Sequence, residues 1–289
     1  MIPMIKPKQV EFHVKGTQDW IHEIKYDGER NLLIWDGTKA RIQRHEGRVK
    51  SDHFPEIINY FDDNFKPSDT FTLDGEVCVL KNKLKADFPS ILSRQTTDHA
   101  KQRLLLKSKP VHFIAFDIVE FNGEDLTKKP FKERRAILET LGFVGTDGYE
   151  IGTEYAEVFS PHTILIVEEE VHLKGSTEHE KRSFVKENDL EGLVIKNPDK
   201  PYDWVKIKNY DEDEFTIFTT KLSKAGKENG WFISTLCLAN EEGEHVGDVK
   251  YINEPQTQEA KDNIVGRKAI IRYMKSDGKL RFPVLQKIL

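Results

Sequence analysis

With 289 residues, a net charge of −5 and 32% charged side chains, the chain is a water-soluble globular protein of one large or two modest domains, each able to bury a core. No apolar stretch approaches the ~20 residues that a membrane helix needs, and the N-terminal MIPMIKPKQVEF lacks the apolar core of a signal peptide, so a spanning protein is excluded and a cytoplasmic one expected. The acidic balance argues against a non-specific nucleic-acid binder, unless basic clusters such as Lys101, Arg103, Lys107 and Lys109 converge in space.

In chain order, residues 20–35 read WIHEIKYDGERNLLIW, two apolar segments around Asp27-Gly28. The dipeptide favours a tight reversal and predicts a β-hairpin, with Lys25 near the end of its first strand and Arg30 on the return. Residues 39–44 form a further short strand. In SDHFPEIINYFDDNF, Ser51 or Asp52 caps, Pro55 enters the first turn, and Ile57, Ile58, Phe61 and Phe65 share a face, predicting an amphipathic helix. TFTLDGEVCVL (70–80) alternates as a strand; a loop over Lys81 to Pro89 and a helical stretch through Lys109 follow. VHFIAFDIVEF (111–121) is the strongest strand, turned by Asn122-Gly123.

Pro130 opens a helix that turns Ile137, Leu138 and Leu141 inward and stops at Gly142. A second helix is expected from Ser160-Pro161 to near Gly175. The strands LEGLVIKN (190–197) and WVKIKNY (204–210) come next, and Asp211 to Glu214 reads as a linker or the start of a new unit. From Phe215 onward short strands alternate with turns, with a helix around Gln256 to Asn263. About five strands and one helix in this stretch are the content of an OB-fold barrel. Cys78 and Cys237 lie in apolar strands and are expected as buried thiols, in keeping with a reducing compartment.

Phosphate-loop, dinucleotide-binding and nucleophile-elbow motifs are absent, and the ten histidines lack zinc-ligand spacing. What remains is a set of strand-borne charges. Lys25 is either a solvated edge charge or a nucleophile whose ordinary pKa of about 10.4 is lowered by desolvation or neighbouring cations. Glu76 and Glu191 each neighbour a glycine in an apolar strand, while Lys206 and Lys208 alternate with Val205 and Ile207 and so share a face. One lysine nucleophile, two carboxylates for a hard cation and two phosphate-binding lysines suit phosphoryl-type transfer.

The ordered series KYDGER (25–30), RHEG (44–47), LDGEV (73–77), FIAFDIV (113–119), EGLVIK (191–196), WVKIK (204–208) and RFPV (281–284) resembles ATP-dependent DNA ligases, above all the small phage, viral and bacterial ones. The resemblance spans nearly the whole chain. It implies an α+β fold: an ATP-grasp-like nucleotidyltransferase domain of antiparallel sheets and helices over residues 1–209, then an OB-fold domain over 210–289. The implied reaction seals nicks in duplex DNA with ATP and Mg²⁺ or Mn²⁺, serving repair or replication, as a monomer. An RNA ligase or capping-type nucleotidyltransferase is the alternative, and an inactive nucleotide- or DNA-binding module the remote one.

By the same resemblance Lys25 takes AMP onto its side chain, within a catalytic set of Lys25, Asp27, Arg30, Lys206, Lys208 and Arg281. Glu23 accepts from the adenine amino group. Phe116 stacks on adenine, unless it is simply a core phenylalanine. Arg30 and Arg44 lie near the ribose, the AMP phosphate and the nick phosphate, and Glu76 and Glu191 serve ribose or metal. Lys206 and Lys208 bind phosphate and depress the pKa of Lys25 by like-charge repulsion. Arg281 belongs to a C-terminal motif through which the OB domain closes over ATP and orients the leaving pyrophosphate. Only 24 residues precede Lys25 and six follow Pro283, where larger relatives extend further, so DNA affinity is expected to be modest.

Overall fold

The computed structural model describes residues 8–9, 16–63, 67–148, 163–224, 231–251, 263–274 and 278–289. The chain divides into two compact units, Met1–Lys208 and Asn209–Leu289. No helix among the described residues is long and apolar enough to cross a membrane.

The first unit begins with β1 (Lys8–Gln9), β2 (Ile21–Ile24), β3 (Glu29–Trp35) and β4 (Ala40–Gln43). The expected hairpin at Asp27-Gly28 does not form. β2 pairs with a late strand of the chain and β3 with its own successors, so residues 25–28 carry the chain from one sheet to another. Gly28 is required by crowding rather than by a reversal: a Cβ there would stand 2.3 Å from the Val77 carbonyl oxygen. The hairpin that does form joins β3 to β4, with Leu33 opposite Ile42.

The helix opened by Pro55 is α1 (Pro55–Asp63); it buries Ile57 and Phe61, and Phe61 stacks on Trp35 at 5.0 Å. Phe65, expected on the same face, lies outside the described residues. After β5 (Phe71–Cys78), the expected loop holds a small hairpin, β6 (Leu80–Asn82) and β7 (Lys85–Ala86). The expected helical stretch is two helices, α2 (Phe88–Ser93) and α3 (His99–Ser108). They separate where Arg94 turns inward onto Glu56 at 2.8 Å, and Asp98 restarts the helix by accepting from the Ala100 and Lys101 N–H groups.

β8 (His112–Phe121) ends in a left-handed turn at Asn122 (φ 50°) and Gly123 (φ 81°), followed by β9 (Glu124–Asp125). Next come α4 (Phe131–Thr140), β10 (Val144–Gly145) and β11 (Ile164–Ile166). The helix expected from Ser160 to Gly175 is corrected. Its opening falls outside the described residues, and Ile164–Ile166 is a strand pairing with β8, because an all-apolar run buried on both sides satisfies its backbone in the sheet. The helix starts after Gly175 as α5 (Glu178–Glu187), set by a capping box between Thr177 and Glu180. β12 (Gly192–Lys196) and β13 (Trp204–Lys208) close the unit.

These strands make a seven-stranded sheet, ordered β10-β11-β8-β5-β3-β4 with β9 on β8, and a four-stranded sheet, ordered β1-β13-β12-β2. Both are mixed rather than antiparallel: β10–β11, β11–β8 and β1–β13 run parallel.

The second unit is a five-stranded antiparallel sheet of β14 (Asp211–Lys224), β15 (Trp231–Ala239), β16 (His245–Lys250), β17 (Lys268–Met274) and β18 (Arg281–Ile288), ordered β16-β15-β14-β17-β18. Asp211 to Glu214 is the start of β14 rather than a linker. Register shifts on β14, between Ile217 and Thr219 and between Lys221 and Leu222, bend it as it passes from β17 to β15. The sheet curls enough for the Leu280 N–H, just before β18, to donate to the Val246 carbonyl of β16 at 2.9 Å. Ile217, Leu236, Leu238, Ala269 and Ile271 fill its core. The helix expected around Gln256 falls outside the described residues. Cys78 and Cys237 are buried free thiols, as expected.

Candidate active site

Where residues 25–28 step between the two sheets, a cavity of about 280 Å³ is lined by side chains of both, among them Glu23, Lys25, Arg30, Glu76, Phe116 and Lys206. Lys25 is fixed through its backbone, which donates to the Gly192 carbonyl at 2.9 Å as β2 leaves β12. Gly192 is needed on its other side, against β13, since a Cβ there would lie 2.0 Å from the Ile207 carbonyl oxygen. Lys25 Nζ donates to Glu191 Oε2 at 2.6 Å, and Glu191 Oε1 stands 3.3 Å from Lys208 Nζ.

The expected depression of the Lys25 pKa is not what the surroundings produce. Burial pulls it down and is the largest single influence, but the carboxylates of Glu191, Glu76 and Asp27 together outweigh it and hold the ammonium above its ordinary value. Lys25 therefore rests as a cation and must lose a proton before acting as a nucleophile. Burial pushes Glu76 up to about 8; Lys25 draws it down and Glu191 adds to the rise.

Arg30 holds Asp74 through two hydrogen bonds, Nε to Oδ1 at 2.9 Å and Nη2 to Oδ2 at 2.6 Å, and its guanidinium lies 5.1 Å from the centre of the Phe116 ring. Phe116 is half-buried at the cavity wall rather than sealed in the core. Glu23 is 1% exposed, with Oε2 at 2.5 Å from Lys196 Nζ and Oε1 lacking a hydrogen-bond partner. An orphaned buried acceptor on a cavity wall suits a donor supplied by a ligand.

The structure thus brings Glu23, Lys25, Arg30, Glu76, Phe116 and Lys206 to one cavity, with Glu191 and Lys208 bonded to each other behind Lys25. Asp27 lies in the crossing segment and acts on Lys25 through its charge. Arg44 does not line the cavity; it pairs with Glu29 at 3.0 Å just after β4. Arg281 belongs to the second unit, where it opens β18 opposite Met274. Of the two carboxylates expected to hold metal, Glu191 has both oxygens engaged by lysines, whereas Glu76, held back from ionising by burial, suits a cation that would ionise it. No cluster of three or more potential metal ligands occurs among the described residues.

Among the residues not singled out from sequence are Lys196 and Trp204, which line the cavity, and Asp74, which holds Arg30. Lysine in the otherwise apolar run GLVIK was the available signal, because an unpaired lysine does not stay in a buried strand.

Comparison with known proteins bears on the family. The model of the ATP dependent DNA ligase domain matches residues 3–209. DNA ligase C1 of Mycolicibacterium smegmatis is 25% identical over 261 residues, covering 84% of this chain and 66% of that relative, so the chain spans just under two thirds of its length. The SPbeta prophage-derived DNA ligase-like protein LigB of Bacillus subtilis is 25% identical over 290 residues, covering 93% and 92%. Among solved structures a Lig E DNA ligase, 18% identical, superposes with a TM-score of 0.63 over 99% of this chain and 100% of that one, a likeness of fold. With its nucleotidyltransferase fold of mixed sheets and helices and a family match over more than half its length, the chain belongs to the ATP-dependent DNA ligase domain family.

Proposed function

We propose that the chain is an ATP-dependent DNA ligase that seals nicks in duplex DNA, with residues 1–209 as its nucleotidyltransferase domain and 210–289 as an OB-fold domain. The observation that carries the proposal is Lys25 at the cavity wall, 2.6 Å from a carboxylate and in one cavity with Glu23, whose Oε1 accepts no hydrogen bond. Glu23 Oε1 accepts from the adenine amino group and Phe116 stacks on the base. Lys25 passes a proton to Glu191, and its free amine attacks the α-phosphorus of ATP. A P–N bond forms and the P–O bond to pyrophosphate breaks. Lys206 and Lys208 neutralise phosphate charge, and Arg30, pinned by Asp74, presents a rigid donor fork beside the base.

The AMP then passes to the 5′-phosphate at the nick, and the 3′-hydroxyl displaces it as the new phosphodiester forms. A divalent cation, Mg²⁺ or Mn²⁺, supplies charge neutralisation at the phosphates when bound; Glu76 would hold it, and Glu191 would join only on releasing a lysine. On this reading the protein acts in the cytoplasm, as a monomer, in repair or replication.

Incubation with labelled ATP and magnesium tests this. Label should become covalently attached through a bond labile to acid and stable to mild base, and Lys25→Ala should abolish it while the melting profile stays intact. Undiminished labelling of that variant would remove Lys25 from the reaction. Sealing of nicked DNA but not nicked RNA is expected in the same preparation.

A further inference from the structure

An ion pair sits behind Phe116. Lys196 is 1% exposed; its Nζ is 2.5 Å from Glu23 Oε2 and donates to the Phe116 carbonyl at 2.7 Å. The rings of Phe131 and Trp204 stand 4.3 and 4.4 Å from the same nitrogen. The ammonium is thus fixed from several sides, and it fixes Glu23 in turn, leaving Oε1 of Glu23 as the oxygen without a hydrogen bond.

The charge on Glu23 carries information. A carboxylate can only accept hydrogen bonds, whereas a protonated carboxyl also donates. Adenine offers an amino donor at the position where guanine offers a carbonyl acceptor. Building on the ligase reading, in which Glu23 meets the purine edge, we infer that Lys196 is the residue that sets purine selectivity: by clamping Glu23 Oε2 it keeps the group a carboxylate, so that Oε1 takes adenine and turns guanine away.

Lys196 is therefore a positioning residue, acting through Glu23. Other charges around Glu23 do not replace it. Arg135 of α4 comes within 3.7 Å of Oε1, but its guanidinium is held by the Val167 carbonyl at 2.6 Å, Glu139 at 2.7 Å and Glu168 at 3.5 Å. Asp117 of β8 opposes ionisation. Burial already pushes Glu23 above the ordinary carboxylate range, with Lys196 the chief counterweight and Arg135 the next. Without Lys196 the chief counterweight to burial is gone, and Glu23 shifts further toward the protonated form, which can donate to guanine.

The test compares covalent labelling by ATP and by GTP over a range of pH on either side of neutrality, because a carboxyl raised by burial titrates above its ordinary range. Taking the ratio cancels the titration of groups common to both reactions, such as Lys25 and Glu76. The unsubstituted protein should favour ATP by a ratio that is flat with pH. Lys196→Met should raise the GTP-to-ATP ratio at least about tenfold at the acid end, and the ratio should fall back as pH rises and Glu23 ionises. Lys196→Arg, which keeps the charge, should stay near the parent. A purely structural role would instead depress both nucleotides alike at every pH. Glu23→Gln, neutral throughout, should admit GTP without pH dependence, and Lys196→Gln, which also removes the charge, should behave as Lys196→Met and replaces it if that variant does not fold. A Lys196→Met ratio that is flat and equal to the parent's overturns the inference, as does undiminished selectivity in Glu23→Gln. Failure of the parent to label with ATP at all would overturn the ligase reading itself, and the inference with it.

Discussion

At the scale of single residues, burial shifts several ionisable groups of the first unit away from their ordinary range. His22, beside Glu23 on β2, shows this most simply. It is fully buried, and burial, reinforced by Lys181, lowers its pKa from 6.5 to about 4. The unfolded chain binds a proton below about pH 6.5 while the folded chain resists it down to about pH 4, so this contribution to stability is present above the first value and lost as pH falls toward the second. Between about pH 7.5 and pH 5 the loss from this one group is about 2 kcal/mol. Urea unfolding of the parent and of His22→Leu at both pH values checks it. The pH-dependent difference should shrink by about that amount in the variant, and an unchanged difference would show that His22 does not titrate on unfolding.

At the scale of elements, the strand that carries Phe116 is anchored from behind by a charge pair. Arg134 of α4 reaches Asp117 of β8 through Nε and Nη2, both at 2.8 Å, and both side chains are inaccessible to solvent. The guanidinium also donates to the Pro201 carbonyl at 2.8 Å and lies 4.3 Å from the centre of the Tyr202 ring, so one arginine ties α4, β8 and the β12–β13 connection together. Removing one partner of such a pair leaves an uncompensated buried charge. Arg134→Met should cost about 3–5 kcal/mol, whereas pairing it with Asp117→Leu should recover most of that loss. Equal destabilisation in the single and double variants, measured by thermal unfolding, would show that the other contacts of Arg134 matter more than its charge partner. The elements themselves were largely legible in sequence: α1 from Pro55 and its apolar face, β5 from its alternation, β8 from its apolar run and the Asn122-Gly123 turn, α4 from Pro130 and Gly142. The helix expected before Gly175 was not, because ILIV fits a buried strand or a buried helix equally well and only its partner β8 decides.

At the scale of the whole molecule, we propose that Arg281, which opens β18 in the second unit, serves the first chemical step of the ligase reaction. A planar guanidinium that stays charged suits a leaving pyrophosphate, which is present only while lysyl-AMP forms. Arg281→Ala should slow enzyme adenylylation on the order of a hundredfold and spare the sealing of nicked DNA that already carries 5′-AMP. Single-turnover rates of the two steps, measured side by side, provide the check. Equal losses in both would assign Arg281 to DNA binding or folding instead.

The sequence by itself determined the order of the charged strand motifs and hence the family, because such motifs are local: period-2 alternation puts Lys206 and Lys208 on one face whatever surrounds them. It also set where glycines were needed, although not why. Asp27-Gly28 reads as a reversal, and only the tertiary structure shows the chain crossing between sheets there, with Gly28 pressed against Val77. The protonation of Lys25 and the orphaned oxygen of Glu23 were likewise decided by the fold. Lys25 meets Glu191 across 166 positions of sequence and Glu23 meets Lys196 across strand pairing between β2 and β12. Ionisation follows desolvation and the nearest charges in space, and no pattern of neighbours along the chain encodes either.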